Sequence, residues 1–177
     1  MSISENVAKI RAEMEAAAIA AGRDPKSIQL CAATKMNDAA AVREAIRAGI
    51  DCCGVNKVQE LVQKLAENAY EGVPVHFIGH LQTNKVKQVV GKVDLIQSVD
   101  SERLIRAIDK EAAKQGIVQD ILDDSLLLCL LVDGGKEPLG VHTLDQIHLA
   151  HHKLDLVGLQ VTDEVDGHPL IGIFGQL

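Results

Sequence analysis

The chain has 177 residues, 47% of them hydrophobic and 24% charged, with a formal net charge of −7. Apolar burial on that scale offsets chain entropy, so intrinsic disorder is excluded and a single domain over 1–177 is expected. The negative charge repels phosphate backbones, and one Tyr, two Phe and no Trp leave little to stack bases on, which argues against a nucleic-acid partner.

At the N-terminus, Ser2 and Glu5 have capping-box spacing, and Val7, Ile10, Met14 and Ala17 or Ala18 follow at helical period until Gly22 and Pro25. Glu5, Glu13 and Glu15 are foreign to secretory and transit peptides, so no export signal is read and a cytoplasmic location is expected. Residues 30–34 read as a short buried strand, with Asn37 or Asp38 as N-cap of a helix through Ala41, Val42, Ala45 and Ile46 to Gly49. The pattern then repeats. A strand at 50–54 precedes a helix at 56–68 with Val58, Leu61, Val62 and Leu65 on one face, and strands follow at 75–78 and 95–99 around a short helix at 83–90.

Beyond Asp100, Leu104, Ile105, Ile108 and Ala112 mark a helix that stops at Gly116. The apolar run 126–132 reads as a strand covered on both faces, 143–153 as a helix, 156–161 as the sixth strand and 170–174 as a seventh. The longest apolar run is too short to cross a bilayer, so no membrane partner is expected. Alternation of this kind implies parallel strands with helical crossovers, and without a G-x-G-x-x-G after the first strand it favours a barrel over a dinucleotide-binding fold. A complete eight-fold barrel takes about 200–250 residues. The expected class is therefore α/β, a parallel TIM-type barrel that is shortened or incomplete, with about six to seven strands.

Cys31, Cys52, Cys53 and Cys129 lie in or beside apolar, strand-like runs and form no paired Cys-x-x-Cys elements. Buried, reduced thiols in a reducing compartment are expected, and no structural zinc site. His76 and His80 are four apart but lack the glutamate of a helical zinc pair, and His148, His151 and His152 read as a solvated helix face. No metal is expected. Lys35 follows the first strand directly, where a parallel barrel places reactive groups, although on position alone an ordinary solvated lysine is the commoner case.

The segments AATK at 32–35, CGVNKVQE at 53–60, HFIGHLQTNKVKQVVG at 76–91 and SVDS at 98–101, with the pair Gly140 and Val141, carry more. Together they closely resemble the pyridoxal phosphate homeostasis proteins, most strongly over 28–101. The family barrel is similar to the N-terminal domain of alanine racemase. The resemblance implies that Lys35 holds pyridoxal 5'-phosphate (PLP) as a Schiff base. Gly54 and Asn56 match the family's Phe-Gly-Glu-Asn, with Val55 in place of the glutamate, so Asn56 keeps a pocket role. By the same resemblance His80 faces the cofactor where the third strand opens into its loop; its alternative role is to anchor that loop. Gln82, Asn84 and Lys85 either cap the next helix or line the pocket rim.

The family pattern fails later in the chain. LLVDGGKEPLG at 130–140 lacks the family's Asn and its Ser-Lys-Ser, with Lys136 in a different register, and Gly134 and Gly135 alone are a weak phosphate nest. The late Ser-Met-Gly-Met-Ser loop is missing. LIGIFG at 170–175 retains Gly172 as a cofactor-side residue but has Leu170 where the family has arginine.

The expected function is thus a non-catalytic PLP-binding protein of PLP homeostasis, with weakened affinity, serving PLP-dependent apoenzymes as a monomer or weak homo-oligomer. No catalytic residue is assigned. The alternatives are a PLP-dependent amino-acid racemase or lyase, which needs a second acid/base group for which Tyr70 is a poor candidate, and a degenerate barrel that has lost PLP.

Overall fold

A computed structural model describes residues 2–123, 141–143, 159–165 and 168–173, with side chains described as far as Leu122. It divides into two compact units, one built from 1–54, 63–74 and 147–177, the other from 55–62 and 75–146. The chain is α/β, and among the described residues the strands pair in parallel, with Leu159–Val165 against His168–Ile173 the one exception.

In the first unit, helix α1 (Ile3–Ala20) starts at the expected capping box: the Ser2 amide donates to Glu5 Oε2 at 2.7 Å and the Glu5 amide donates to Ser2 Oγ at 3.2 Å. It buries Val7, Met14 and Ala18, a stripe at helical period, and packs on helix α2 (Ala39–Arg47). Helix α2 is capped by Asp38, whose Oδ1 accepts the Ala41 amide at 2.8 Å. Between the helices lie a 3-10 turn (Pro25–Ser27) and strand β1 (Gln29–Ala33), buried from Leu30 onward as a strand covered on both faces should be. Strand β2 (Cys52–Val55) pairs parallel to β1, with Cys31 opposite Cys52. On its other side β1 pairs parallel to the last strand described, which runs His168–Ile173, with Cys31 opposite Gly172.

In the second unit, β3 (Val75–Phe77), β4 (Leu95–Val99), β5 (Gln119–Asp123) and β6 (Val141–Thr143) form a parallel ladder in that order. The short helix expected at 83–90 is a 3-10 segment, Thr83–Gln88. Helix α4 (Glu102–Gln115) ends at Gly116 in the left-handed region and packs against that segment, β5 and β6, burying Leu104, Ile105, Ile108 and Ala112. Helix α3 (Val58–Ala66) contributes residues to both units.

The structure departs from the sequence expectation in three places. Strand β7 (Leu159–Val165) pairs antiparallel to β8 (His168–Ile173), because only Asp166 and Gly167 separate them and a parallel crossover needs about a dozen residues or more. Strands β5 and β6 were not expected, and Thr143, where the expected helix would begin, is the last residue of β6; with these two, the described residues hold eight strands. The third departure is on α3, where Lys64 is buried beside Val58 and Leu61 while Val62 and Leu65 are exposed. The expected strand at 126–132 and all but the first residue of the expected helix at 143–153 lie outside the described residues. No helix among the described residues is long and apolar enough to cross a membrane.

Candidate functional site

The first unit builds the surroundings of Lys35 from the end of β1. Thr34 is fully buried, and its amide and hydroxyl both donate to the Gly54 carbonyl, at 2.9 and 3.2 Å. Its own carbonyl accepts the Asn37 amide at 3.3 Å and the Lys64 ammonium. Lys35 is exposed, and its carbonyl accepts Asn37 Nδ2 at 3.1 Å. Met36 then takes a φ of 65°, which turns the chain toward the Asp38 cap. An exposed side chain thus leaves from a backbone held on both sides, at the C-terminal end of a parallel strand. Gly172 lies in the neighbouring strand opposite Cys31, four residues before Lys35 in β1 register.

The same unit holds Cys31, Cys52 and Cys53, all buried and none in a disulfide, as expected; Cys129 lies outside the described residues. The Cys52 thiol is pushed far up, chiefly by its hydrogen bond with Cys31 and then by burial. Burial, then Cys31, push Cys53 up to about 12, against the opposing charge of Lys64. Thiols held protonated in this way are poor nucleophiles at neutral pH.

The second unit brings Asn56 and His80 into one neighbourhood. Asn56 follows β2, and its Oδ1 is buried with no hydrogen-bond partner among the described residues. Gly79, after β3, lies so close to Asn56 that an added Cβ would stand 2.1 Å from the Asn56 carbonyl oxygen. The Gly79 carbonyl accepts the Ser98 hydroxyl from β4. His80 is mostly exposed, with Nδ1 3.2 Å from Asp100 Oδ2 just beyond β4. Asn56, His80 and Asp100 therefore each stand at the C-terminal end of a strand, where α/β folds of this class carry their chemistry.

Other residues noted in the sequence separate from this group. His76 is buried and its Nδ1 meets Gln97 Nε2 at 3.1 Å. Gln82 is the N-cap residue of the 3-10 segment but makes no side-chain cap bond. Tyr70 is buried in the first unit. Gly134, Gly135, Lys136, Gly140, His148, His151 and His152 lie outside the described residues. Sequence reading missed Thr34, Lys64, Gly79 and Asp100. Thr34 and Gly79 stood inside the quoted segments AATK and HFIGH, and Asp100 inside SVDS, whereas Lys64 gave no signal beyond a charge at a core spacing.

No family model matches the chain. It is 34% identical over 159 residues to the pyridoxal phosphate homeostasis protein of Aquifex aeolicus, covering 90% of this chain and 70% of the relative. It is 40% identical over 110 residues to the protein of that name from Pseudomonas aeruginosa, covering 62% of this chain and 48% of the relative. The chain thus spans about half the length of that relative. Among solved structures, PipY of Synechococcus elongatus with PLP bound matches with a TM-score of 0.65 and 30% identity, over 84% of this chain and 73% of PipY. Alanine racemase of Clostridium difficile matches with a TM-score of 0.53, over 66% of this chain and 34% of the enzyme; at 8% identity the likeness is one of fold alone. With 34% identity to a relative of which it covers 70%, the chain belongs to the pyridoxal phosphate homeostasis protein family.

Proposed function

We propose that this chain is a non-catalytic PLP-binding protein of PLP homeostasis, with Lys35 as its covalent attachment point. The observation that carries the reading is Lys35 itself: an exposed amine on a pinned backbone at the end of a parallel strand, in a chain whose solved relative PipY was determined with PLP bound. The residues present fit the cofactor. Among the described residues the buried Asn56 Oδ1 has no partner, as an acceptor reserved for a ligand donor would, because buried polar atoms are nearly always bonded.

When bound, PLP supplies an aldehyde that condenses with an amine and releases water. Lys35 presents that amine. His80, oriented by Asp100, and the backbone of Gly172 are the further contacts we assign to the cofactor, together with Asn56. Turnover of amino acids would need a placed acid/base group opposite the lysine. Tyr70, the chain's one tyrosine, is 4% exposed and unsuited to that role. This supports the binding reading over a racemase or lyase.

The strands are read as a TIM-type barrel like that of alanine racemase, shortened late in the chain and forming one cofactor-binding domain. The departures from the family pattern after residue 126 support weakened affinity. Delivery to PLP-dependent apoenzymes, as a cytoplasmic monomer or weak homo-oligomer, completes the reading.

A PLP titration followed by borohydride reduction and peptide mapping tests it. The pyridoxyl label is expected on Lys35 and is expected to disappear in Lys35→Ala. A label on other lysines that survives Lys35→Ala would overturn the site assignment, and Lys35-dependent racemisation of a free amino acid would overturn the non-catalytic reading.

A further inference from the structure

Lys64 occupies a position where a lysine is out of place. It sits on the inner face of α3 in register with Val58 and Leu61, 5% exposed, although lysine is among the residues least often buried without a specific partner. Its neighbours in sequence, Val62 and Leu65, are apolar yet 42% and 37% exposed, so α3 turns its charge inward and two hydrophobic side chains outward. Such a conflict between local pattern and burial is characteristic of functional positions.

The buried ammonium donates to the Thr34 carbonyl, which belongs to the peptide group that begins Lys35. Thr34 is already tied to Gly54 through its amide and hydroxyl. The Lys64 bond adds a charge-assisted anchor at the carbonyl of the same residue, and such bonds are about twice as strong as neutral ones. Lys64 also lies in the last turn of α3, where a cation complements the helix dipole.

We propose that Lys64 is a positioning residue for Lys35: by holding the Thr34–Lys35 peptide group it fixes the origin and direction of the attaching side chain. The inference rests on the reading of Lys35 as the PLP lysine. A long flexible amine reaches a fixed aldehyde efficiently only when its root does not move, because each added freedom of the root dilutes the productive geometry.

The test uses the full chain and four variants. Lys64→Met keeps the length and apolar stem of the side chain without its donors, and the Thr34 carbonyl retains the Asn37 amide as a partner. Lys64→Gln keeps a shorter donor. Leu61→Val, on the same helix face, lowers stability without removing a hydrogen bond, since neither side chain has a donor or acceptor. Lys35→Ala reports whether the label depends on Lys35 at all. Each protein is melted without cofactor, titrated with PLP by absorbance, then reduced with borohydride and peptide-mapped.

Lys64→Met is expected to raise the PLP dissociation constant about tenfold or more and to lower Lys35 labelling in step, with partial recovery in Lys64→Gln. Leu61→Val is expected to melt earlier at unchanged affinity. Lys35-dependent labelling in the wild type together with unchanged affinity in Lys64→Met would overturn the positioning role alone. So would a loss of affinity that merely tracks the melting temperature as Leu61→Val sets it. If Lys64→Met does not fold, wild-type affinity in Lys64→Gln overturns the role instead. Wild-type labelling that ignores Lys35→Ala brings down the PLP site and the inference with it.

Discussion

The Cα of Gly79 rests against the carbonyl of Asn56, leaving no room for a side chain: a Cβ would lie 2.1 Å from the oxygen and 2.7 Å from the carbonyl carbon. Both atoms are backbone, so neither can swing aside. Gly79→Ala is therefore expected to push the two strand-end loops apart, at a stability loss of about 1–3 kcal/mol. Because Asn56 moves with its carbonyl, PLP affinity should fall more than in a surface variant of equal stability. Urea unfolding and PLP titration of the same preparation check this; an alanine variant with unchanged midpoint and affinity would contradict it.

Asp51 links helix α1 to the strand pair beneath it. Its Oδ2 accepts the Leu30 amide at 2.5 Å and pairs with Arg11 Nη2 at 2.7 Å, while Arg11 Nε donates to the Gly49 carbonyl at 3.1 Å. With about a third of each side chain exposed, the ion pair itself is worth about 1 kcal/mol or less. The amide bond matters more. Asp51→Ala should lose about 1–3 kcal/mol, Asp51→Asn less because it keeps an acceptor, and Arg11→Met about 1 kcal/mol. Denaturant midpoints give the ranking, and equal losses for the two Asp51 variants would show that the Leu30 bond is not the main element.

Alkaline pH should destabilise the protein through its buried thiols. Cys53 keeps its proton up to about 12 in the fold, whereas an ordinary thiol releases it from 9.0. Between those values the unfolded chain has lost a proton that the folded chain retains, so rising pH favours unfolding. The contribution of Cys53 is fully present below pH 9 and is lost toward 12, at roughly 1 kcal/mol per pH unit. Melting curves from pH 8.5 to 10.5 should fall more steeply for the wild type than for Cys53→Ala; parallel slopes would refute the assignment.

Met36 combines a φ of 65° with a side chain 84% exposed, so it takes left-handed strain without burying anything. Relief of that strain, about 1–2 kcal/mol, outweighs the added chain freedom of glycine, about 0.5–1 kcal/mol. Met36→Gly should thus be neutral or stabilising by up to about 1 kcal/mol, and the β-branched Met36→Val destabilising. The Met36→Gly melt should lie at or above that of the wild type and the Met36→Val melt below it, and a Met36→Gly loss as large as that of Met36→Val would mean the turn is not held in this conformation.

The elements that could be read from the sequence are those whose determinants are local. The Ser2–Glu5 box, the Asp38 cap and the Gly116 stop act within one turn, and the structure has each of them. Strand β5 escaped notice because Gln119 and Asp120 break its apolar pattern. Gln119 is buried nonetheless, its amide group donating to the carbonyls of Val93, Asp94 and Asp120 and accepting the Gly91 amide, a satisfaction that periodicity cannot foresee. For the same reason α3 was read with its face turned toward Val62 and Leu65, since the partner that admits Lys64 to the interior lies thirty residues away. At the site, Lys35 could be singled out by its resemblance to the family; its position alone made it one solvated lysine among others. The antiparallel turn of β7 was hidden in plain sight, because Asp166 and Gly167 leave no length for a crossover.

The pairing of β1 with β8 has a consequence for synthesis. Gln29 through Ala32 leave the ribosome long before their partners Leu170 through Ile173. Until those partners emerge, one edge of the strand that leads to Lys35 has no pairing partner from this segment, and contacts of such long sequence separation close slowly. A ribosome stalled after β6 would hold a nascent chain with that edge open to other strands, so chaperone dependence and insolubility of stalled or truncated products should concentrate on loss of the β7–β8 pair.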